Sequence, residues 1–332
     1  MATSYPGVAT ASDQNNAIVV RGNSPNGLLW RLNGLDIVNP NHLSNAGTLS
    51  DKPAANGGGV NILSAQMLGR TQFLLGALPT QYGNATAGVI DMQLRDGNRE
   101  QREYTAQASL IGLDLAAEGP LSKNKSSSYL ANYRYSTVGL LSAMGVDFGG
   151  EAISSQDFSF NLSFQNKKGG KTSIFGLSGL SSNKFNAKET ADREQDKDYY
   201  NIDYAAQAGA VGVTHEQVIG GGHLAAGVSY SGSSQDRDAE LEDSKIVTND
   251  YAYDRQILSG FFRFTHRLGE TSSLDLGANV SYSNDNYYDY TLPVVGPVFC
   301  PECLATTTSG GVSGILLQPY LNLVMDVSDK VT

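Results

Sequence analysis

Several groups of residues in this 332-residue chain have types and spacings that could do chemistry. Cys300-Pro-Glu-Cys303 is a CxxC, which can serve as a redox pair, half of a metal site or a local disulfide. Zinc needs four ligands, yet the chain has no second cysteine pair, and His42, His215, His223 and His266 are scattered. Redox catalysis needs a low-pKa thiolate, usually in a thioredoxin-like setting, which the flanking residues lack. Lys188–Asp198 and Asp236–Asp243 are acidic enough to take Ca²⁺ or a cationic ligand, but neither has EF-hand spacing, and a solvated loop is the simpler reading. Tyr251, Tyr253, Tyr287, Tyr288 and Tyr290 could stack on a ligand's ring or form an aromatic belt at a membrane rim. Enzyme signatures are missing: there is no GxSxG, no HExxH and no P-loop, and no pair among the many carboxylates is singled out. The expectation is a non-enzyme with no catalytic residues, no cofactor and no metal.

Composition narrows the class. The formal charge is −10 and no basic block is present, which argues against a nucleic-acid partner. Apolar runs such as Leu292–Phe299 fall far short of the roughly 18 residues a membrane helix needs. Mean hydropathy of −0.26 points the same way. Neither observation bears on a membrane β-barrel, whose strands are only half apolar. Met1 is followed by Thr3, Ser4 and Tyr5, without the basic and apolar regions of a signal peptide.

The elements that must position these residues divide at Thr71–Asn98. Val89–Leu94 alternates like a strand with one buried face, and Gly83 and Gly88 bracket the hinge before it. Residues 1–98 read as a small α/β unit. Asn16–Arg21 is a strand, Leu28–Ile37 a hairpin around Asn33-Gly34, Asn39–Gly59 a long loop and Val60–Gly69 a helix. Residues 102–332 read as antiparallel strands. Phe158, Phe160, Leu162 and Phe164 alternate with Ser159, Asn161, Ser163 and Gln165, and Leu274, Leu276, Ala278 and Val280 alternate with Asp275, Gly277 and Asn279. Such strands suit a soluble sandwich or, turned inside out, a membrane barrel. Short turns at Ser122–Lys125, Lys167–Gly170, Gly220–Gly222 and Gly269–Ser272 alternate with long polar stretches at Ser142–Ser155, Asn183–Asn201, Ser233–Arg255 and Asp285–Gly311. That layout, over roughly ten strands, is the barrel's.

Three segments then carry a resemblance: Ile18-Val19-Val20-Arg21-Gly22, Leu32-Asn33-Gly34-Leu35-Asp36 and Gln81-Tyr82-Gly83-Asn84-Ala85-Thr86-Ala87-Gly88-Val89-Ile90. In this order they resemble the plug domain of TonB-dependent outer-membrane receptors, and residues 101–332 resemble the first strands of that family's barrel. Glu118-Gly119-Pro120 with Tyr133-Arg134-Tyr135-Ser136 is similar to receptors of the Bacteroidetes type.

The resemblance implies a mainly β protein. A small α/β plug (1–98, N-terminally incomplete) would lie inside a partial transmembrane antiparallel β-barrel (99–332), about ten of an expected 22 strands. It implies TonB-energised uptake of a siderophore, cobalamin, oligosaccharide or peptide. TonB–ExbB–ExbD would be the energy-transducing partner, outer-membrane lipid would surround the wall, the long loops would lie outside, and a surface lipoprotein is a further partner of this type. The TonB box and the terminal aromatic typical of outer-membrane proteins are not found, so the chain is expected to be a fragment. An external loop in an oxidising compartment would make Cys300–Cys303 a disulfide. The same orientation turns Asn41 and His42, on the Asn39–His42 loop, towards an external vestibule as ligand contacts beside Tyr251, Tyr253, Tyr287 and Tyr288. Arg21, Gly22, Asn33, Gly34, Asp36, Tyr82, Gly83 and Gly88 would be structural plug positions. The alternative is a non-transporting barrel adhesin or binding module.

Overall fold

The computed structural model describes residues 6–10, 17–42, 57–58, 60–109, 112–136, 151–269, 272–295, 298–299 and 304–325. Cys300 and Cys303 lie outside the described residues. The N-terminal part holds eight short strands: β1 (Val8–Thr10), β2 (Ile18–Val20), β3 (Leu28–Leu32), β4 (Leu35–Ile37), β5 (Asn41–His42), β6 (Val60–Asn61), β7 (Leu68–Leu74) and β8 (Gly88–Leu94). Four of them form a sheet in the order β4-β3-β8-β7, with β3 and β8 parallel. Asn33 and Gly34 carry the β3–β4 turn at φ 51° and 84°, the left-handed pair that a two-residue hairpin requires. Asn33 Oδ1 also accepts the Leu94 N–H at 2.9 Å, tying the turn to the end of β8.

The expected helix at Val60–Gly69 is absent. The chain runs from β6 through turns closed by Met67 N–H to Ser64 O and Leu68 N–H to Ala65 O, then enters β7. Asn61 Oδ1 takes the Leu63 N–H and Ser64 Oγ the Gln66 N–H, at 2.8 and 3.2 Å. Such local side-chain bonds compete with a helix for backbone donors. Leu63 and Met67 are buried all the same, so helical spacing reported their burial and not their conformation.

Most of the rest is one large antiparallel sheet. Its strands are β9 (Glu103–Ser109), β10 (Gly112–Pro120), β11 (Ser127–Ser136), β12 (Glu151–Gln165), β13 (Lys171–Phe185), β14 (Tyr200–Ile219), β15 (Gly222–Leu241), β16 (Ile246–Arg267) and β17 (Ser272–Thr291). A two-residue pair, β18 (Val294–Val295) with β19 (Val298–Phe299), precedes the last strand, β20 (Thr306–Met325). The ten strands β9–β17 and β20 pair in sequence order, with β9 and β20 at the two ends. Ser233–Arg255, expected as a loop, is mostly strand: β15 and β16 are joined by residues 242–245 alone. Strands of 20 to 22 residues exceed the 9–11 that a tilted strand needs to cross a bilayer. In a wall that crosses a bilayer, residues beyond that band would have both faces in water, so polar composition there would signal exposure and not an end to pairing.

The two faces of this wall differ sharply. Ser159, Asn161, Ser163, Ser229 and Ser231 are at most 2% exposed, while Phe158, Val211, Val228 and Val280 are 44–51% exposed. The N-terminal unit covers the small polar face. Phe175, Leu177, Ala208 and Ala210 of the wall meet Leu32, Leu35, Ile62 and Met67 in the main core. Among the described residues nothing covers the apolar face, the reverse of a water-soluble sandwich.

Candidate ligand-binding site

Register places the tyrosines. Tyr253 pairs with Tyr287, and Tyr287 with Gly310; Tyr251 pairs with Asp289 and Arg255 with Asp285. All of these share the inner face of β16, β17 and β20, towards the end where residues 242–245 join β15 to β16 and the longer connection joins β17 to β20. Tyr288 and Tyr290 alternate with them and stand on the outer face. The tyrosine set therefore splits: Tyr251, Tyr253 and Tyr287 point inward, and Tyr288 points outward, as an aromatic belt would.

The inward rings are held in place. Tyr253 Oη donates to Asp285 Oδ1 and Tyr287 Oη to Asp289 Oδ2, both at 2.9 Å. Tyr251 meets Tyr287 edge-on, with centroids 5.7 Å apart, a favoured aromatic geometry. Arg255 Nε lies 3.3 Å from Asp285 Oδ1. Gly310 beside Tyr287 has no atom within 4 Å of where its Cβ would stand. A cleft of about 530 Å³ opens there, lined by Tyr253, Asp285, Tyr287, Thr308 and Val312. That size is typical of small-molecule sites. Rings pinned by carboxylates with lone pairs to spare can stack on a ligand and accept its hydrogen bonds. Nothing in the group forms a nucleophile–base pair.

The Asn39–His42 segment packs against β13 and β14, and none of its residues lines the tyrosine cleft. Asn39 Oδ1 accepts from the Asn41 N–H and Nδ2 at 3.1 and 2.7 Å, and Asn41 is half-buried. His42 is 2% exposed. Its Nε2 is 2.7 Å from Asp157 Oδ1, out of line for a hydrogen bond, so the imidazole faces the wall. Arg134 Nη2 holds Asp157 Oδ2 at 2.7 Å and also donates to Asn61 O of β6.

The other motif positions make contacts within the N-terminal unit and to the wall. Arg21 has φ 51° and its N–H bonds Gly7 O; Gly22 follows at φ 77°. Tyr82 Oη donates to Asp91 Oδ2 at 2.7 Å, and burial with that carboxylate pushes the phenol up to about 12. A Cβ on Gly83 would meet the Gln318 amide of β20, and one on Gly88 would lie 3.0 Å from Leu74 O. Asp36 Oδ1 is 2.9 Å from Arg31 Nε; burial raises the Asp36 pKa and the Arg31 charge opposes it.

Arg31 is the hub that motif reading missed. It is 5% exposed and donates to Gly34 O (2.7 Å), Asn279 Oδ1 (3.0 Å) and Gln81 O (3.3 Å). Its guanidinium also lies over the Tyr82 ring, 5.2 Å from the centroid. The available signal was a lone charge inside Leu28-Leu29-Trp30-Arg31-Leu32, since a buried charge must be paired. The acidic stretches are also accounted for. Asp198 accepts the Glu194 and Gln195 N–H groups (2.8 and 2.9 Å), and Arg193 spans to Asp243 in a bidentate pair at 2.6 and 3.0 Å.

No protein-family model matches the chain, and no curated protein matches it. Solved structures do. A variant of the ferric enterobactin receptor of Pseudomonas aeruginosa aligns over 98% of this chain and 56% of its own, with a TM-score of 0.59 and 15% identity. The ferric preacinetobactin receptor of Acinetobacter baumannii aligns over 98% and 58%, at TM-score 0.58 and 13% identity. The ferric yersiniabactin uptake receptor of Yersinia pestis aligns over 98% and 59%, at 0.55 and 10%. The chain thus has the fold of these receptors and spans little more than half the length of each.

Proposed function

We propose that this chain is the plug (1–98) and the first ten barrel strands (99–332) of a longer TonB-dependent outer-membrane receptor, of the Bacteroidetes type. The receptor imports a scarce or bulky nutrient using energy from TonB–ExbB–ExbD. One observation carries the reading: the N-terminal unit covers the wall's buried polar face while the apolar face lies bare. A soluble module would bury the apolar face; a barrel gives it to outer-membrane lipid and keeps polar groups for its lumen. The likeness to uptake receptors supports the same conclusion. Ligand contact falls to Tyr251, Tyr253 and Tyr287, with Asn41 on the plug below, and the long connections face the exterior.

The test uses the full-length protein in its membrane. Single cysteines at Phe158, Leu162 and Val280 should react with a lipid-soluble maleimide, and cysteines at Asn161 and Asn279 should not. Uptake should stop when a protonophore collapses the inner-membrane gradient. Lipid labelling with uptake indifferent to the protonophore would favour a passive or adhesive barrel, and reversed labelling would sink the membrane reading.

A further inference from the structure

The two rims of the wall carry opposite charge. Short turns close one rim: residues 121–126 join β10 to β11, 166–170 join β12 to β13, and 220–221 join β14 to β15. Arg102, Lys123, Lys167, Lys168 and Arg267 stand exposed along it. Their neighbours Arg99, Lys125 and Lys171 are paired, with Asp96, Glu100 and Glu216. Among the described residues those five cations have no carboxylate within 4 Å, and Glu103 is the exposed carboxylate there with no cation.

At the other rim the excess is acidic. Asp203, Asp238 and Asp250 are direct cross-strand partners on the outer face of β14–β16, with Asp236 and Asp254 next along the same face. The cations of that rim are taken: Lys184, Lys188, Arg193 and Lys245 each lie within 4 Å of a carboxylate.

The basic turns are held rigidly. Asn166 Oδ1 accepts the Lys168 and Gly170 N–H groups at 2.9 and 2.8 Å, a side-chain turn that Gly169 completes at φ 77°. Gln217 of β14 clamps the same turn, accepting from Asn166 Nδ2 and donating to Lys168 O, both at 2.9 Å. Cations on fixed turns lose little freedom on meeting an opposite charge. Apolar side chains accompany them: Leu121, Val218, Ile219 and Leu268 are 49–59% exposed at this rim. Arg102 lies over Gly119 beside the Tyr129 ring on the outer face. Apolar groups next to cationic tips match the boundary between acyl chains and headgroups.

We infer that this rim binds anionic phospholipid headgroups in the leaflet that the short turns enter, through Lys123, Lys167, Lys168 and Arg267. The apolar face of the wall ends there, so the cations fall at headgroup depth. The carboxylates of the far rim offer such a headgroup only repulsion. This rests on the receptor reading and adds the class of lipid and the leaflet.

The test uses the full-length receptor, purified in detergent and offered phosphatidylglycerol and phosphatidylcholine in equal amounts, with retained lipid identified by native mass spectrometry. The parent should retain phosphatidylglycerol in preference, and the preference should fade as salt screens the rim. A cation near a charged leaflet contributes roughly fivefold in binding, so Lys123→Gln, Lys167→Gln, Lys168→Gln and Arg267→Gln combined should lower the preference by at least that factor. Asp203→Asn with Asp238→Asn, on the far rim, should leave it unchanged. Heat-modifiable gel mobility confirms folding of each variant. Equal retention of the two lipids by the parent would overturn the inference, as would a preference indifferent to salt or to the four substitutions. A preference lost in the far-rim variant would overturn it too. Lipid labelling at Phe158 is independent of all these outcomes, so the receptor reading would stand through any of them. Loss of that labelling would remove both.

Discussion

Ile62 sits in the space that Gly179 leaves bare. A Cβ on Gly179 would lie 2.7 Å from Ile62 Cγ1 and 2.8 Å from Asp157 Oδ1, closer than real contacts allow. The missing side chain lets the β6 turn settle onto the wall beside the Asp157–Arg134 pair. Packing of a core residue and placement of a buried charge thus depend on one glycine.

Gly179→Ala should therefore loosen the unit from the wall, at about 1–3 kcal/mol for overpacking. Limited proteolysis of the folded full-length receptor should cut within residues 60–94 faster than in the parent. Gly314→Ala, where nothing stands within 4 Å of the added Cβ, is the control and should match the parent.

Leu276→Arg tests the exposed face. Leu276 is on the outer side of β17, paired with Phe264 and Leu321. On the proposed membrane reading, a guanidinium there should cost about 2–4 kcal/mol in folding into lipid vesicles if it lies near mid-bilayer. A neutral result in a reversible folding titration would count against lipid on this face.

How much of this was legible in the sequence follows from what alternation can encode. Phe158–Gln165 and Leu274–Val280 announced strands with unlike faces, and Asn33-Gly34 announced its hairpin, because those signals are local. Which face pointed inward was not local, since a sandwich and a barrel share the period. Connection lengths leaned towards the barrel, although one of the four long stretches, Ser233–Arg255, is paired strand and not loop; the covered face is visible only in the structure. The tyrosines were found as a group. Their division into inward Tyr253 and Tyr287 and outward Tyr288 needed the β16–β17 register. Arg31 was overlooked because its partner Asn279 lies 248 positions away.

Tyr82 predicts a response to alkali. Its phenol has a folded pKa of about 12 against an ordinary 10.0, because burial and the Asp91 carboxylate both disfavour the phenolate. A raised pKa means stability that is fully present below pH 10 and lost as pH rises through about 12. The parent should lose stability across that window, and Tyr82→Phe should lose less of it. At neutral pH the same variant should be less stable by about 1–3 kcal/mol, having left a buried carboxylate short of a donor. Denaturant titrations at stepped pH check both signs.

The tyrosine cleft predicts a contrast within one strand. Tyr253→Ala and Tyr287→Ala remove inward rings; Tyr288→Ala removes an outward ring next in sequence to Tyr287. Loss of one ring contact, at about 0.5–1.5 kcal/mol, should lower ligand affinity by several-fold for each inward variant. The outward variant should bind like the parent. On the proposed function, equal losses in all three, by titration of the purified protein with the ligand it takes up, would move the site elsewhere.

The outer strand of the wall makes the last prediction. β20 pairs with β17 on one side, and among the described residues nothing pairs its other side. Ile315, Leu317 and Leu321 on it are 65–76% exposed, against 44% for Val280 on the same face of its neighbour β17. An edge 20 residues long, apolar on one face, offers a row of unmet N–H and C=O groups to any other strand. Produced as these 332 residues, the chain should associate edge to edge, even in detergent that covers the apolar face. Detergent satisfies side chains and leaves the ladder groups open. A lysine on that edge, Ser313→Lys, should reduce association without changing the content of paired strand. Sedimentation velocity in detergent reads the first effect and circular dichroism the second. A monodisperse parent that sediments as a monomer would show that the β20 edge is already satisfied.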